Sequence, residues 1–397
     1  MIFQLMDNKA ECLGYYMNGE LVYDSELPEN CSGTWKTSVA SSHLRNIDYA
    51  HLYSNGLSLS DACPAHLSTL FDDSTTKLKA YLTSFVESRV SLKENCFFSL
   101  VPDKFLLQYF DLKNRICEHV FEDYTEPDNY MFLLRASRAV EKIKNQKLNI
   151  DLSEISSESF RLPVKNFINR VKNSSHVCDY DIFGTKTGRL STVKNSFPIL
   201  TMDRRYRKIL KPTNDWFVEF DFNAAELRTV LALAGHKQPS IDLHQWNIDN
   251  VFDSVVDREE AKKRIFSWLY NPSSNDSQAE KFYNRGELLS NHYLNGTVTT
   301  PFGRKIEADD YHAFNYLIQS ASSDNTILQM LRMMSMLEES NSFVAFTMHD
   351  SVIIDLDHEE RDMIPILAYT FSETNLGRFL PNITAGKNFG EMRDLSI

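Results

Sequence analysis

The chain has 397 residues, 42% of them apolar and 24% charged, which is the balance of an ordinary folded protein with roughly two or three lobes. Its net charge of −12 argues against a nonspecific coat for DNA, although charge distribution matters more than the total. No apolar run approaches membrane-spanning length, and the six scattered cysteines form no CxxC or Cys/His cluster; a protein of a reducing compartment is expected, cytoplasmic (a host's cytoplasm if the source is viral), without zinc, disulfides or a membrane partner.

Residues 1–70 open with CLGYYM-NG-ELVY, whose Asn18-Gly19 pair suits a type I′ hairpin turn. Frequent Gly, Ser, Asn and Pro follow, so a small α/β piece is expected. Asp7 and Glu11 lie too far apart on a strand to act as a pair. From 71 to about 175 the pattern is mainly helical: LKAYLTSFVESRV and YMFLLRASRAVEKIKNQ carry apolar residues three and four apart with charges between them.

The sign of the charge then reverses. Between Arg161 and Lys211 there are twelve Lys or Arg against three Asp. Gly184 and Gly188 punctuate a loop presenting Lys186 and Arg189, and Arg204 to Pro212 adds further cations, a pattern able to grip phosphates or reach a groove. A solvated basic face would look the same.

Trp216 to Gly235, WFVEFDFNAAELRTVLALAG, begins as an apolar strand and changes to helical period from Ala224. Asp221 ends that strand among aromatic neighbours, where a carboxylate needs a partner. In DREEAKKRIFSWLYN, residues Arg258, Lys262, Phe266 and Tyr270 recur every fourth position and so share one helix face. Cations at one end and aromatics at the other suit a ligand with phosphates and a flat base; an amphipathic helix with a solvated basic end is the alternative.

After a polar turn at 272–278, KFYNRGELLSNHYLNG reads as helix, a hairpin is expected around Pro301–Arg304, and Tyr311–Glu339 is a long helical region. SFVAFTMHDSVIIDLD (Ser342–Asp357) reads as strand, tight turn at His349-Asp350, strand. HEERDMIPILAYTFSE reads as a helix and Asn382–Gly386 as a last strand. Two carboxylates, Asp221 and Asp350, brought together on adjacent strands could hold a pair of magnesium ions; taken singly, Asp221 could cap its helix and Asp350 make a turn.

In this order, the segments from about Tyr180 onward resemble the polymerase half of family A (polymerase I-like) DNA polymerases. DFNAAELR resembles the family's motif A, DYSQIELR; the Arg/Lys/Phe/Tyr helix matches motif B; and MHDSV resembles the HDE turn of motif C. TKTGRLS, Phe302-Gly303-Arg304-Lys305, Asn315 with Gln319, and GKNF (Gly386–Phe389) also have counterparts.

The resemblance implies an α+β, right-hand fold: an antiparallel palm sheet within 176–397, reduced fingers inserted at about 235–296 and a helical thumb within 71–175, beside the small N-terminal piece. It implies a DNA-directed DNA polymerase that extends a primer 3′ end with dNTPs. Asp221, Asp350 and the backbone carbonyl of Phe222 would hold two Mg²⁺ ions, with Mn²⁺ able to substitute. Arg258, Lys262 and His244 would grip the triphosphate, Lys262 counting among the catalytic residues. Phe266 would stack near the incoming base, and Glu226 would exclude ribonucleotides at the sugar. Tyr270, Arg189, Gln319, Asn315, His349 and Arg304 would contact template or primer, Arg189 and Gln319 through the minor groove, where acceptors look alike for every base pair.

Departures qualify this. Ser351 stands where the family has Glu, with Glu219 on the same strand face as a partial substitute. Tyr311 replaces an Arg, Ser267 and Asn271 replace two motif B glycines, and the fingers segment is short. The long exonuclease domain of proofreading members, with its DxE motif and further carboxylates, is not recognised here, so proofreading in cis is not expected. Compactness suggests a phage-like enzyme served by a helicase, a primase or a separate exonuclease. The competing expectations are a single-subunit RNA polymerase relative, disfavoured by Glu226, and a catalytically weak primer–template binding subunit of a replisome.

Overall fold

A computed structural model describes residues 1–7, 12–24, 26–28, 33–35, 48–92, 94–252 and 256–395; Glu11 lies outside them. The chain divides into two units, Met1–Tyr130 and Met131–Ile397.

In the first unit, strands β1 (Ile2–Met6), β2 (Cys12–Met17), β3 (Glu20–Val22) and β4 (Gly33–Trp35) form a sheet ordered β3-β2-β1-β4, with β4 parallel to β1. The expected hairpin joins β2 to β3: Asn18 and Gly19 both take positive φ (48° and 88°), as a type I′ turn requires. Phe3, Leu5 and Tyr16 share a core with Leu67, Phe71 and Leu78 of α1 (Ala65–Glu87) and with Leu106, Phe110 and Ile116 of α2 (Asp103–Asp123).

The second unit is built on β5 (Trp216–Phe222), the apolar run that ends in Asp221. Its period change is realised as α3 (Ala225–Leu233), and Ala224 makes the bend in a left-handed conformation (φ 54°). Helices α4 (Leu243–Asn250) and α5 (Arg258–Tyr270) follow, each capped by an aspartate: Asp242 accepts from the Gln245 N–H (3.0 Å) and Asp257 from the Glu260 N–H (2.8 Å). The stretch expected as one helix from Lys281 is broken at Asn284, whose positive φ (51°) ends a helix at Tyr283 and caps the next at Arg285. The hairpin around Pro301–Arg304 joins 297–299 to 305–307.

Next come α6 (Ala313–Met336), β6 (Phe343–Met348), β7 (Ser351–Leu356), α7 (Ile364–Ser372), β8 (Pro381–Gly386) and β9 (Arg393–Asp394). The sheet runs β6-β7-β5-β8-β9, antiparallel throughout. Phe222 of β5 stacks on Phe371 of α7 with centroids 4.0 Å apart beside the acidic end, and Phe217 meets Phe346 edge-on toward the other end, so aromatic packing anchors both ends of β5. Leu227, Val230, Leu243, Ile265, Trp268 and Leu317 unite α3, α4, α5 and α6 in a second core. Among the described residues, no helix is long and apolar enough to cross a membrane.

Candidate active site

Antiparallel register sets the geometry. Asp221 lies opposite Ser351 of β7 on one side and opposite Asn382 of β8 on the other. Met348 pairs with Ser351, leaving His349 and Asp350 as a two-residue turn with His349 at positive φ (54°). A non-glycine residue in that region is disfavoured by about 1–2 kcal/mol, a local strain of the kind found at functional sites. The Phe222 N–H donates to the Asp350 carbonyl (3.4 Å), which ties the turn to the end of β5.

Burial pushes the Asp221 carboxyl up to about 7, and the neighbouring Glu219 and Asp350 carboxylates push in the same direction. Burial also raises Asp350, against the opposing charge of Arg189. Two buried carboxylates at one end of the sheet, Asp350 acting on Asp221, fit a divalent cation, which would offset both their burial and their repulsion. Among the described residues, no three His, Cys, Asp or Glu side chains gather as a metal cluster. Two carboxylates therefore need further oxygens, and the Phe222 carbonyl is one candidate. Glu219 also takes a hydrogen bond from the Thr384 hydroxyl (3.2 Å).

Arg189, Glu226 and Tyr270 meet. The Tyr270 hydroxyl donates to one Glu226 oxygen, and the Arg189 guanidinium pairs with the other. Glu226 is only 5% exposed, and burial raises its carboxyl against the help of Tyr270 and Arg189. Asp350 acts electrostatically on Asp221, Glu226 and Tyr270, and Arg189 acts on His349, so six of the expected site residues, Asp221 included, share one electrostatic neighbourhood.

The row along α5 lies on its open side. Arg258, Lys262 and Tyr270 are exposed and Phe266 half-buried, whereas Ala261, Ile265, Trp268 and Leu269 face the core. Phe266 stacks on Tyr270 (5.8 Å, 14°) and meets the His244 ring edge-on (5.5 Å). Burial lowers the pKa of His244. Arg258 is held by Asp242 (3.1 Å), two residues before His244.

Other expected residues have surroundings of their own. Asn315 and Gln319 are half-buried, one turn apart on α6. Arg304 is 7% exposed, with its guanidinium bidentate on Asp324 (2.7 and 3.0 Å). Ser351 donates its hydroxyl to the Met348 carbonyl (2.9 Å) and closes the turn. Tyr311 is exposed, and Asn271 ends α5, its side chain accepting from the Ser273 N–H (3.0 Å).

Sequence reasoning missed Asp242, Arg228 and Asp324. Arg228 is fully buried and donates to the carbonyls of Asn223, Pro239 and Ile241 (2.8, 2.9 and 2.9 Å), which fixes the loop leading to Asp242 and His244. The available signal was an arginine set among the apolar residues Leu227, Val230 and Leu231. Asp242 carried an N-cap signal before Leu243.

No family model matches the chain, and no curated protein matches it. Among solved structures, the POL domain of Pol1 from M. smegmatis, in complex with DNA primer-template and dNTP, is similar with a TM-score of 0.57 over 72% of this chain and 76% of that one, at 12% identity. The fold is that of a polymerase domain. At such low identity the likeness speaks for the architecture alone, and the chemistry rests on this chain's own residues.

Proposed function

We propose that the chain is a template-directed DNA polymerase of the family A type, extending a primer 3′ end with dNTPs. The observation that carries this is the meeting of Asp221 and Asp350 at one end of a five-stranded sheet, within the electrostatic reach of Glu226, Tyr270 and Arg189. In this reading the sheet is the palm, 235–296 the reduced fingers and 71–175 the thumb. A phage-like enzyme whose residues 1–397 do not themselves proofread belongs to the same proposal.

Asp221, Asp350 and the Phe222 carbonyl would hold two Mg²⁺ ions. When bound, these supply Lewis acidity at the attacking and leaving oxygens. In the reaction the primer 3′-hydroxyl gives its proton to solvent, its oxygen bonds to the α-phosphorus, the bond from that phosphorus to the α–β bridging oxygen breaks, and pyrophosphate leaves. Arg258 and Lys262 offer fixed positive charge to the triphosphate, and His244 offers a ring nitrogen. Asp242 holds Arg258 until phosphates compete for it. Phe266 gives the incoming base an aromatic face. Glu226, pinned from both sides, presents a carboxylate that a 2′-hydroxyl would crowd.

Arg189 and Gln319 would feel the minor groove, testing pair geometry rather than sequence, while Asn315 would contact the primer–template, Tyr270 the templating position and His349 the primer terminus. Mn²⁺ would be expected to substitute for Mg²⁺. A helicase, a primase or a separate exonuclease remain proposed partners.

The test is extension of a labelled primer on a longer template by the purified chain with Mg²⁺ and either dNTPs or rNTPs. Template-directed addition of dNTPs in preference to rNTPs is expected, with no shortening of the primer when nucleotides are omitted. DNA retention without addition would instead mark a binding subunit, and equal use of rNTPs an RNA polymerase relative.

A further inference from the structure

The middle of α6 carries a polar run, Ser320 to Thr326, that is buried on every side. Most of an amphipathic helix's polar residues face water, so a buried run of this kind needs a reason. Asp324 is fully buried, and its carboxylate is bidentate on Arg304. Burying such a pair is weak support for stability, because desolvation offsets the attraction. What the pair does provide is a planar guanidinium fixed in one orientation.

That plane lies against Gly188. A Cβ on Gly188 would fall 2.4 Å from Arg304 Cζ and 2.6 Å from Nη2, and Gly188 has positive φ (72°). The neighbouring Ser323 hydroxyl donates to the Gly188 carbonyl (3.3 Å), and the Thr185 hydroxyl donates to the Arg189 carbonyl (2.8 Å). Arg189, the next residue, pairs with Glu226. An unbroken series of contacts therefore runs from α6 to the site.

We propose that Asp324 is a positioning residue: by fixing Arg304 against Gly188 it sets the Thr185–Arg189 loop so that Arg189 reaches Glu226. Arg304 thus acts on the primer–template through Arg189, from beneath the loop. This rests on the polymerase reading for its kinetic consequence, and on the contacts alone for its structural one.

The test compares Asp324→Asn, Arg189→Ala and the double variant of the full chain. In steady-state primer extension each single variant should raise KM for primer–template about tenfold, and the double variant should be no worse than Arg189→Ala alone, because both changes act through one side chain. Independent effects, multiplying to about a hundredfold, would overturn the proposal. Gly188→Ala, which pushes the same guanidinium from the other side, provides a second route should Asp324→Asn fail to fold.

A structural readout stands apart from activity. With 3-fluorotyrosine at position 270, the ¹⁹F resonance should move in Asp324→Asn or Gly188→Ala toward its position in Arg189→Ala. A resonance that stays in place in both folded variants would overturn the proposal. An inactive native chain whose resonance moves as expected would sink the polymerase reading and leave the positioning role intact.

Discussion

Asp221 and Ser351 face each other across the β5–β7 ladder. The preceding residue, Asp350, is thereby delivered to the end of the strand where Asp221 sits, and its carbonyl receives the Phe222 N–H. Residues 129 positions apart in the chain (350 − 221) are thus fixed by register and a two-residue turn. A one-residue slip would send every side chain of β7 to the opposite face.

Neutralising either carboxylate should stop chemistry without undoing the fold. Asp221→Asn and Asp350→Asn are expected to slow primer extension by at least roughly 10³-fold, while fluorescence anisotropy shows primer–template affinity within about threefold of native. Native-like extension rates in either variant would remove the metal assignment.

A second expectation concerns pH. The Asp221 carboxyl is raised from 3.8 to about 7 in the folded chain, so without metal the folded state holds that proton more tightly than the unfolded state does. The stabilisation this gives is full below the ordinary carboxylate range, falls as pH rises toward about 7, and is gone above it. Asp221→Asn should therefore raise the metal-free urea midpoint at about pH 8, with the gain shrinking toward about pH 4. Metal binding has the opposite sense: the ion must displace the proton, so apparent Mg²⁺ affinity should climb through about pH 7, with proton release seen by calorimetry in buffers of different ionisation enthalpy. A pH-independent affinity would contradict the shared site.

Sugar discrimination should depend on Glu226. Glu226→Ala removes the carboxylate that Tyr270 and Arg189 both hold, and competitive incorporation should show ribonucleotide use rising on the order of 10²-fold relative to deoxyribonucleotides. An unchanged ratio would leave Glu226 as a structural clamp only.

Loss of Arg228 should cost stability. Arg228→Met leaves three loop carbonyls without their donor, a loss of about 3 kcal/mol, read as a lower urea midpoint. Because the loop carries Asp242, KM for dNTP should rise as well.

Much of this was legible in the sequence. The change of period after Asp221, the turn between two β-branched runs at His349-Asp350 and the fourfold spacing in α5 are local patterns, and local patterns survive into structure. Burial partners are another matter. Nothing within a few residues of Asp324 announces that Arg304 will meet it, since their pairing depends on how α6 packs against the 297–307 hairpin. Arg304 shows the same limit from the other side: its motif suggested a nucleic-acid contact, and only the fold reveals a guanidinium turned inward beneath Gly188. The Tyr270–Glu226–Arg189 junction joins a helix end, a helix start and a loop, which no periodicity connects.

The most direct check on the shared carboxylate site is a Mn²⁺ titration followed by electron paramagnetic resonance, with primer–template and dNTP present. The native chain should immobilise two ions, and Asp221→Asn or Asp350→Asn should lose at least one while still binding DNA. Native-like Mn²⁺ binding in both variants would show that the carboxylates do not hold metal together.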